Sequence, residues 1–583
     1  MKRRTTTMPK AWRYCVWSLL ALVVLIPLWT VVSGRAVVAW RPDWIESDEA
    51  MNKLMVWSVA GPVLLVAAVA GWRWSVASER ARASAGETPV AAAAPAPEPG
   101  ASRPDFVLEV IGLGVTLDKY RQGKLWAALS QGGPYASIRE QDPKKYPWSG
   151  DQKDDQTGGR ACDALENGAR ALPMYWGIPT FGAGWGSKED IDRSGSVMCD
   201  PETSGMAFQL FVGAEGQEGE HTDKVMGRVF SFFDEHPDVP FIVVSSADDL
   251  YSRNLLRPKG TPPLVKDGYY IPSMPDSSAL FVLARRERVD RIRPFVFDDV
   301  DEDKYLGEEL NRRSPARKLM VAYMDLSEQL ASKQLGRPAD GLKRTPTVSE
   351  WLQATRAFAQ RDDIYPRHFS IMNTFHEGEL PPKDFKPTPW FPIPWDKAQL
   401  AAFDKLPTLG FIHRPVFVPM VDKDGHPLTR RDARTAALAA GWQQALQTLP
   451  EAERKAAPAR VVMGTGGNVE QTIALHSVLN GWAAEGGPEL DSSKPTQWID
   501  TDARLGNTGA ATWFMQMAIG VMGSYKDGGA SAAINLRDPR EASIVFITPP
   551  SDEKRRTQQN AAGGDVWRSI VGPAIDPANY QQP

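Results

Sequence analysis

At 583 residues the chain is longer than one domain, since domains run at roughly 100–200 residues. Its 42% hydrophobic and 24% charged residues exclude a mainly disordered or fibrous protein. A formal net charge of −4 argues against nucleic acid as the main partner, and three cysteines (Cys15, Cys162, Cys199) are too few for a disulfide scaffold.

Two uncharged runs open the chain, Tyr14 to Gly34 and Leu54 to Trp72. Each approaches the ~20 residues that cross a hydrocarbon core of ~30 Å as a helix. Pro27 and Pro62 fall inside them, where membrane helices tolerate proline, and Trp17, Trp29, Trp57, Trp72 and Trp74 include rings near the ends. A cleaved signal peptide is the competing reading of the first run, but that run is too long for one and a second span follows. Residues 1–80 therefore read as a transmembrane hairpin. Lys2, Arg3, Arg4, Lys10 and Arg13 precede it and Arg73, Arg80 and Arg82 follow it, while the short loop mixes basic and acidic residues. The positive-inside rule then predicts both ends, and the soluble body, in the cytoplasm.

Residues 81–104 alternate Ala and Pro, a semi-rigid tether that cannot pack a core. The first α/β half spans 105–290. Phe106 to Asp118 reads as an apolar strand with a Gly-x-Gly bend, followed by a short helix; Arg228 to His236 has helical spacing; VPFIVVSSADD is a buried strand with a polar end; Ser277 to Val289 opens as another strand. Residues 291–406 differ. They carry the acidic run from Asp298 to Asp303, helical stretches at Lys318 to Leu335 and Ser349 to Gln360, and the Pro/Trp-rich KPTPWFPIPWDK, and they read as an inserted subdomain. The α/β pattern resumes over 407–583 with a hairpin turn at Asp422 to Gly425, a helix, strand ARVVMG, a glycine-rich turn, a second helix and the last strand EASIVFITPP.

The turn Met463 to Asn468 lies between a strand and a helix, where backbone N–H groups can hold an anion, but it lacks the Gly-Lys-Ser/Thr of a P-loop and the third glycine of a dinucleotide site. It reads as an ordinary tight turn. Asp299, Asp301 and Asp303 begin an EF-hand-like spacing that fails at Lys304 and Leu310, so the run is a solvated acidic face or a partner surface. His368, His376 and Glu377 match no tight ligand spacing, and no metal or cofactor is expected. Cys199 would be a nucleophile only with a histidine beside it in space.

In order, these segments resemble the thiolase-like condensing enzymes (β-ketoacyl synthases): EVIGLGVTLDKYRQGKLWAALSQG as the opening strand and helix, SSALFVLARRER as a closing strand, Met463-Gly-Thr-Gly-Gly-Asn-Val-Glu470 where the family has H-G-T-G-T, and Gly506-Asn507-Thr508-Gly509 where it has G-H. The resemblance implies a layered αβαβα body. It also puts the two catalytic histidines at Met463 and Asn507, the lysine at Asp502, and the nucleophilic cysteine near Glu220 to Thr222. None of these carries the family's residue, and Met and Asn cannot shuttle a proton. The resemblance thus implies a kept fold and lost chemistry.

The whole chain further resembles the type VI secretion lipase adapter family, through HPDVPFIVVSSADD, PFVFDDVDEDKYLGEELNRR and WFPIPWDKAQLAAFDKLPTLGFIHRPVFVP. That implies a non-catalytic adapter in the cytoplasm, which binds a phospholipase effector and recruits it to the secretion spike; the hairpin, read separately, would tether it to a bacterial inner membrane. Asp298, Asp299, Asp301, Trp390 and Trp395 are the candidate partner-binding residues, since aromatic anchors often dominate interfaces. A homodimer, common in the thiolase-like fold, is left open. The alternative is an acyl-thioester enzyme with a relocated nucleophile, which requires a Cys, Ser or Thr within reach of a histidine in the central cleft.

Overall fold

The computed structural model describes residues 106–169, 171–173, 177–184, 196–200, 209–217, 222–257, 259–297, 315–361, 363–364, 384–562 and 566–567. The two predicted spans, the tether, Asp298, Asp299 and Asp301, and His368 and His376 lie outside them. Among the described residues no helix is long and apolar enough to cross a membrane.

The apolar runs of the first half form β1 (Val107–Leu117), β2 (Tyr120–Arg121), β3 (Ile178–Gly184), β4 (Ser196–Asp200), β5 (Gln209–Gln217), β6 (Phe241–Asp248) and β7 (Ser277–Ala284). Those of the second half form β8 (Gly410–His413), β9 (Val416–Pro419), β10 (Arg460–Gly464), β11 (Trp498–Asp500), β12 (Ser531–Asn535) and β13 (Glu541–Thr548). All join one mixed sheet.

The two halves repeat one pattern. Taking β1, β3, β5, β6 and β7 as first to fifth, their order in the sheet is third, second, fourth, fifth, first. The series β8, β10, β11, β12 and β13 has the same order. In both series the second strand is parallel to the third and fourth, and the fifth is antiparallel to its neighbours. The two first strands, β1 and β8, pair antiparallel and join the halves.

Side-chain alternation shows what each face buries, because successive residues of a strand point to opposite sides. In β7, Ala279, Phe281 and Leu283 enter a central core, and Leu280, Val282 and Ala284 an outer one. In β13, Val545 and Ile547 enter the same central core, and Ile544 and Phe546 the second half's own outer core. The helix Thr512–Asp527 belongs to the shared core and is buried from Thr512 to Tyr525, as expected of a helix apolar on all sides. Helices Arg431–Leu446 and Val469–Ala484 cover the outer face of the second half.

The Gly-x-Gly of β1 is not a bend. The strand runs through it with a register irregularity between Val110 and Gly112, and the glycines make room for the helix Gly150–Ala169. A Cβ at Gly112 would lie 2.2 Å from the Gly168 carbonyl oxygen, and one at Gly114 only 1.7 Å from that of Ala164.

Trp390 and Trp395 correct their reading as surface anchors. They are 4% and 1% exposed. Trp390 meets the Phe232 ring edge-on at 5.3 Å, and Trp395 packs against Phe241, Phe391 and Phe403. Segment 291–406 is stitched into the body by these rings: Phe297, Trp351 and Trp390 enter the central core, and Phe391, Trp395 and Phe403 the first half's outer core.

Candidate functional site

The sheet ends converge on the turn from Gly506 to Ala511, which leads into the central helix. Its glycines serve the backbone: Gly506 and Gly509 have φ of +84° and +52°, a region L-residues avoid. A Cβ at Gly509 would also come within 2.0 Å of the Asp248 carboxylate.

Asp248, at the polar end of β6, clamps the turn from the first half. Its carboxylate accepts the Ala510 N–H at 2.6 Å and pairs with Arg253, whose Nε donates at 2.8 Å. Ser246 and Thr222 both donate to the Ala510 carbonyl, at 3.0 and 2.6 Å. Thr222 precedes the helix Lys224–Glu235, in the stretch where the resemblance put the nucleophile. Its hydroxyl is buried and used as a fastening.

From the second half, Arg537 donates to Asn507 Oδ1 at 2.8 Å and to Thr512 Oγ1. The same Asn507 oxygen accepts the Gly509 N–H at 2.9 Å. Asn507 is therefore an exposed acceptor that shapes the turn. An amide there has no proton to exchange near neutral pH.

Asp502 answers the anion question raised by the glycine-rich turn. Its Oδ2 accepts the N–H groups of Thr465 and Gly466 at 2.6 and 2.7 Å. Gly466 and Gly467 have φ of +63° and +79°, so these N–H groups form a nest of the kind that draws anions. The protein fills it with its own carboxylate.

Met463 departs from expectation. It is fully buried with Val461 in the outer core of the second half, while Val462 between them faces the central core. The structure does not bring Met463 together with Asn507 and Thr222.

Cys199 lies in β4, paired with Leu210 of β5 in the strand register. A histidine does meet a hydroxyl elsewhere. His413 Nε2 lies 3.1 Å from Thr548 Oγ1, and Nδ1 lies 2.8 Å from the Thr448 carbonyl, which fixes the Nδ1–H tautomer. Both residues are buried between β8 and β13, and desolvation pushes the imidazole down to about 4. So weak a base, closed off from substrate, ties strands together and cannot activate a nucleophile. His476 stacks on Trp498 at 4.3 Å. Asp422, Asp424 and His426 cluster on the exposed hairpin, a solvated acidic turn.

Sequence reasoning missed Asp248, Arg253 and Arg537. The one signal was the polar end of an otherwise apolar β6.

Among solved structures, the chain is similar at low depth to several condensing enzymes. The ishigamide ketosynthase/chain length factor matches 76% of this chain and 100% of its own, at 11% identity and a TM-score of 0.36. Cerulenin-bound OleA of Xanthomonas campestris matches 76% and 97%, at 10% and 0.32, and human mitochondrial 3-ketoacyl-CoA thiolase with CoA 76% and 98%, at 10% and 0.30. Similarity of that depth assigns no chemistry here.

Residues 106–267 match the family described as type VI lipase adapter protein Tla3, N-terminal, and residues 409–549 its C-terminal counterpart. The chain belongs to the type VI lipase adapter protein Tla3 family.

Proposed function

We propose that this protein is a non-catalytic adapter that binds a lipase effector in the cytoplasm and recruits it to the type VI secretion spike. The observation that carries the proposal is the match of both halves, in order, to the two domains of the lipase adapter family. The turn from Gly506 to Ala511 supports it, because its polar groups are committed to one another and hold the halves together. In this reading the body is thiolase-like and layered, with its acid–base chemistry replaced by fastenings. The two uncharged runs, 14–34 and 54–72, tether it to the inner membrane.

The test is capture from the producing bacterium with the full chain as bait. A lipase, and with it a spike component, is the expected catch; a folded bait that recovers neither overturns the proposal. Acyl-thioester turnover is the second readout. The adapter predicts none. Turnover that disappears in Cys199→Ser would establish the enzyme instead.

A further inference from the structure

The helix Asp552–Ala561 reads DEKRRTQQNA, and none of its residues is buried. A helix with no apolar face does not hold to a core by burial. Two of its side chains reach the body instead. Arg555 donates to the Tyr525 carbonyl at 2.7 Å. Gln558 accepts the Thr408 N–H at 2.7 Å and donates to the Thr408 carbonyl at 2.9 Å and to the Tyr525 hydroxyl at 3.1 Å.

Beyond the helix comes an apolar grip. Val566 and Trp567 are half-buried and pack against the central core. The indole meets the Tyr525 ring edge-on at 5.4 Å and lies against Gly123, the first residue of the helix Gly123–Gln131. A Cβ on Gly123 would stand 2.8 Å from the indole Cδ1 and 3.0 Å from Cγ, closer than carbon atoms approach. The Gly123 backbone asks for no glycine, since its φ is not positive. Glycine is also among the poorest helix formers. The indole explains its presence: a missing side chain makes room for the ring.

We infer that Gly123 and Tyr525 form a tryptophan-binding seat whose resident ligand is the chain's own Trp567, and that the helix Asp552–Ala561 and Trp567 leave it together as a releasable arm. Local opening costs least where few apolar groups are buried and the backbone faces water, and the arm meets both conditions. The seat is different. Tyr525 belongs to the buried central helix and Gly123 to a helix that packs Leu125, Trp126 and Leu129 into the same core, so it keeps its shape when the arm departs.

The probe is the peptide Asp-Val-Trp-Arg-Ser-Ile, the chain's own residues 565–570, with blocked ends and a fluorescein label, titrated by anisotropy against the full chain. It should bind the Trp567→Ala variant at least about tenfold more tightly than wild type, whose seat is taken, and lose about tenfold or more when its own Trp is replaced by Ala. Adding Gly123→Ala to that variant should abolish binding. In otherwise wild-type protein Gly123→Ala should expel Trp567, so that the amides of Asp552–Ala561 exchange about tenfold faster while those of β12 and β13 keep their protection. This second readout needs no peptide and decides the matter if Trp567→Ala lowers the melting midpoint. Equal peptide binding by wild type and Trp567→Ala, or binding indifferent to Gly123→Ala, overturns the seat. Exchange across Asp552–Ala561 as slow as in β13, in wild type and Gly123→Ala alike, overturns the arm. Neither readout involves a lipase, so this inference and the adapter reading stand or fall separately.

Discussion

One short helix, Leu250–Leu256, serves two regions with opposite characters. Arg253 turns to Asp248 and the Gly506 to Ala511 turn, where each donor described meets an acceptor of the protein itself. Leu250 and Tyr251 turn to a small cleft beside the helix Gly150–Ala169, where aromatic walls and an acidic rim stay open to solvent. The difference teaches that polar residues at a strand end do not by themselves mark a binding site. What matters is whether their hydrogen-bonding capacity is already spent. At the turn it is spent on holding the halves together; at the cleft Asp151 and Asp155 remain exposed to solvent.

The comparison breaks first at Asp248. Asp248→Ala removes a buried ion pair with Arg253 and the acceptor of the Ala510 N–H, so a loss of about 3 kcal/mol or more is expected in denaturant unfolding. The double variant with Arg253→Ala should recover part of it. A loss below about 1 kcal/mol would mean the turn is not fastened from this side.

A second test uses pH. His413 is held neutral, at about 4 against an ordinary ~6.5, so the unfolded chain takes up a proton that the folded chain refuses. Its contribution, about 3 kcal/mol, is present above pH ~6.5 and is lost as pH falls towards about 4. Asp276, raised by burial to about 6, tilts the other way: the folded chain keeps its proton longer, so that contribution weakens as pH rises through the same window. The measurement is therefore a difference. His413→Gln should flatten the acid-side fall in the unfolding free energy relative to wild type; unchanged curvature would show that His413 titrates normally.

Gly509→Ala should cost about 2 kcal/mol, from the positive φ together with the Asp248 clash, and appear as a lowered melting midpoint. The smallest effect is expected at Asp502→Ala, about 1–2 kcal/mol, because, of its two partners, Thr465 is buried but Gly466 is exposed, where water replaces part of what is lost. Gly466 N–H exchange should quicken in that variant while the β10 amides stay protected.

Strands β1, β6, β7, β10 and β13 were legible because their apolar runs are short, dense and bounded by turn residues, whereas β3, β4, β5, β11 and β12 went unread. So did the helix Gly150–Ala169. Its residues are mostly polar, and Lys153 and Arg160 face inward as partners of groups far along the chain. Trp390 and Trp395 misled for another reason. Aromatic anchors often dominate interfaces, but rings serve cores equally well: Trp390 enters the central core and Trp395 the outer core of the first half. Met463 could be placed in a strand, but period-two alternation does not say which face meets the common core. Asp248 was visible as a polar strand end, yet its partner Ala510 is 262 residues away, a separation no local pattern encodes.

The buried helix Thr512–Asp527 has a consequence for biogenesis. It fills the space towards which both half-sheets turn their inner sides, yet it is synthesised after every strand of the first half. During translation the first half leaves the ribosome with Leu113, Phe281 and Leu283 uncovered, hundreds of codons before their cover exists. Nascent chains of this protein should consequently depend on holding chaperones, and neither half expressed alone should remain soluble.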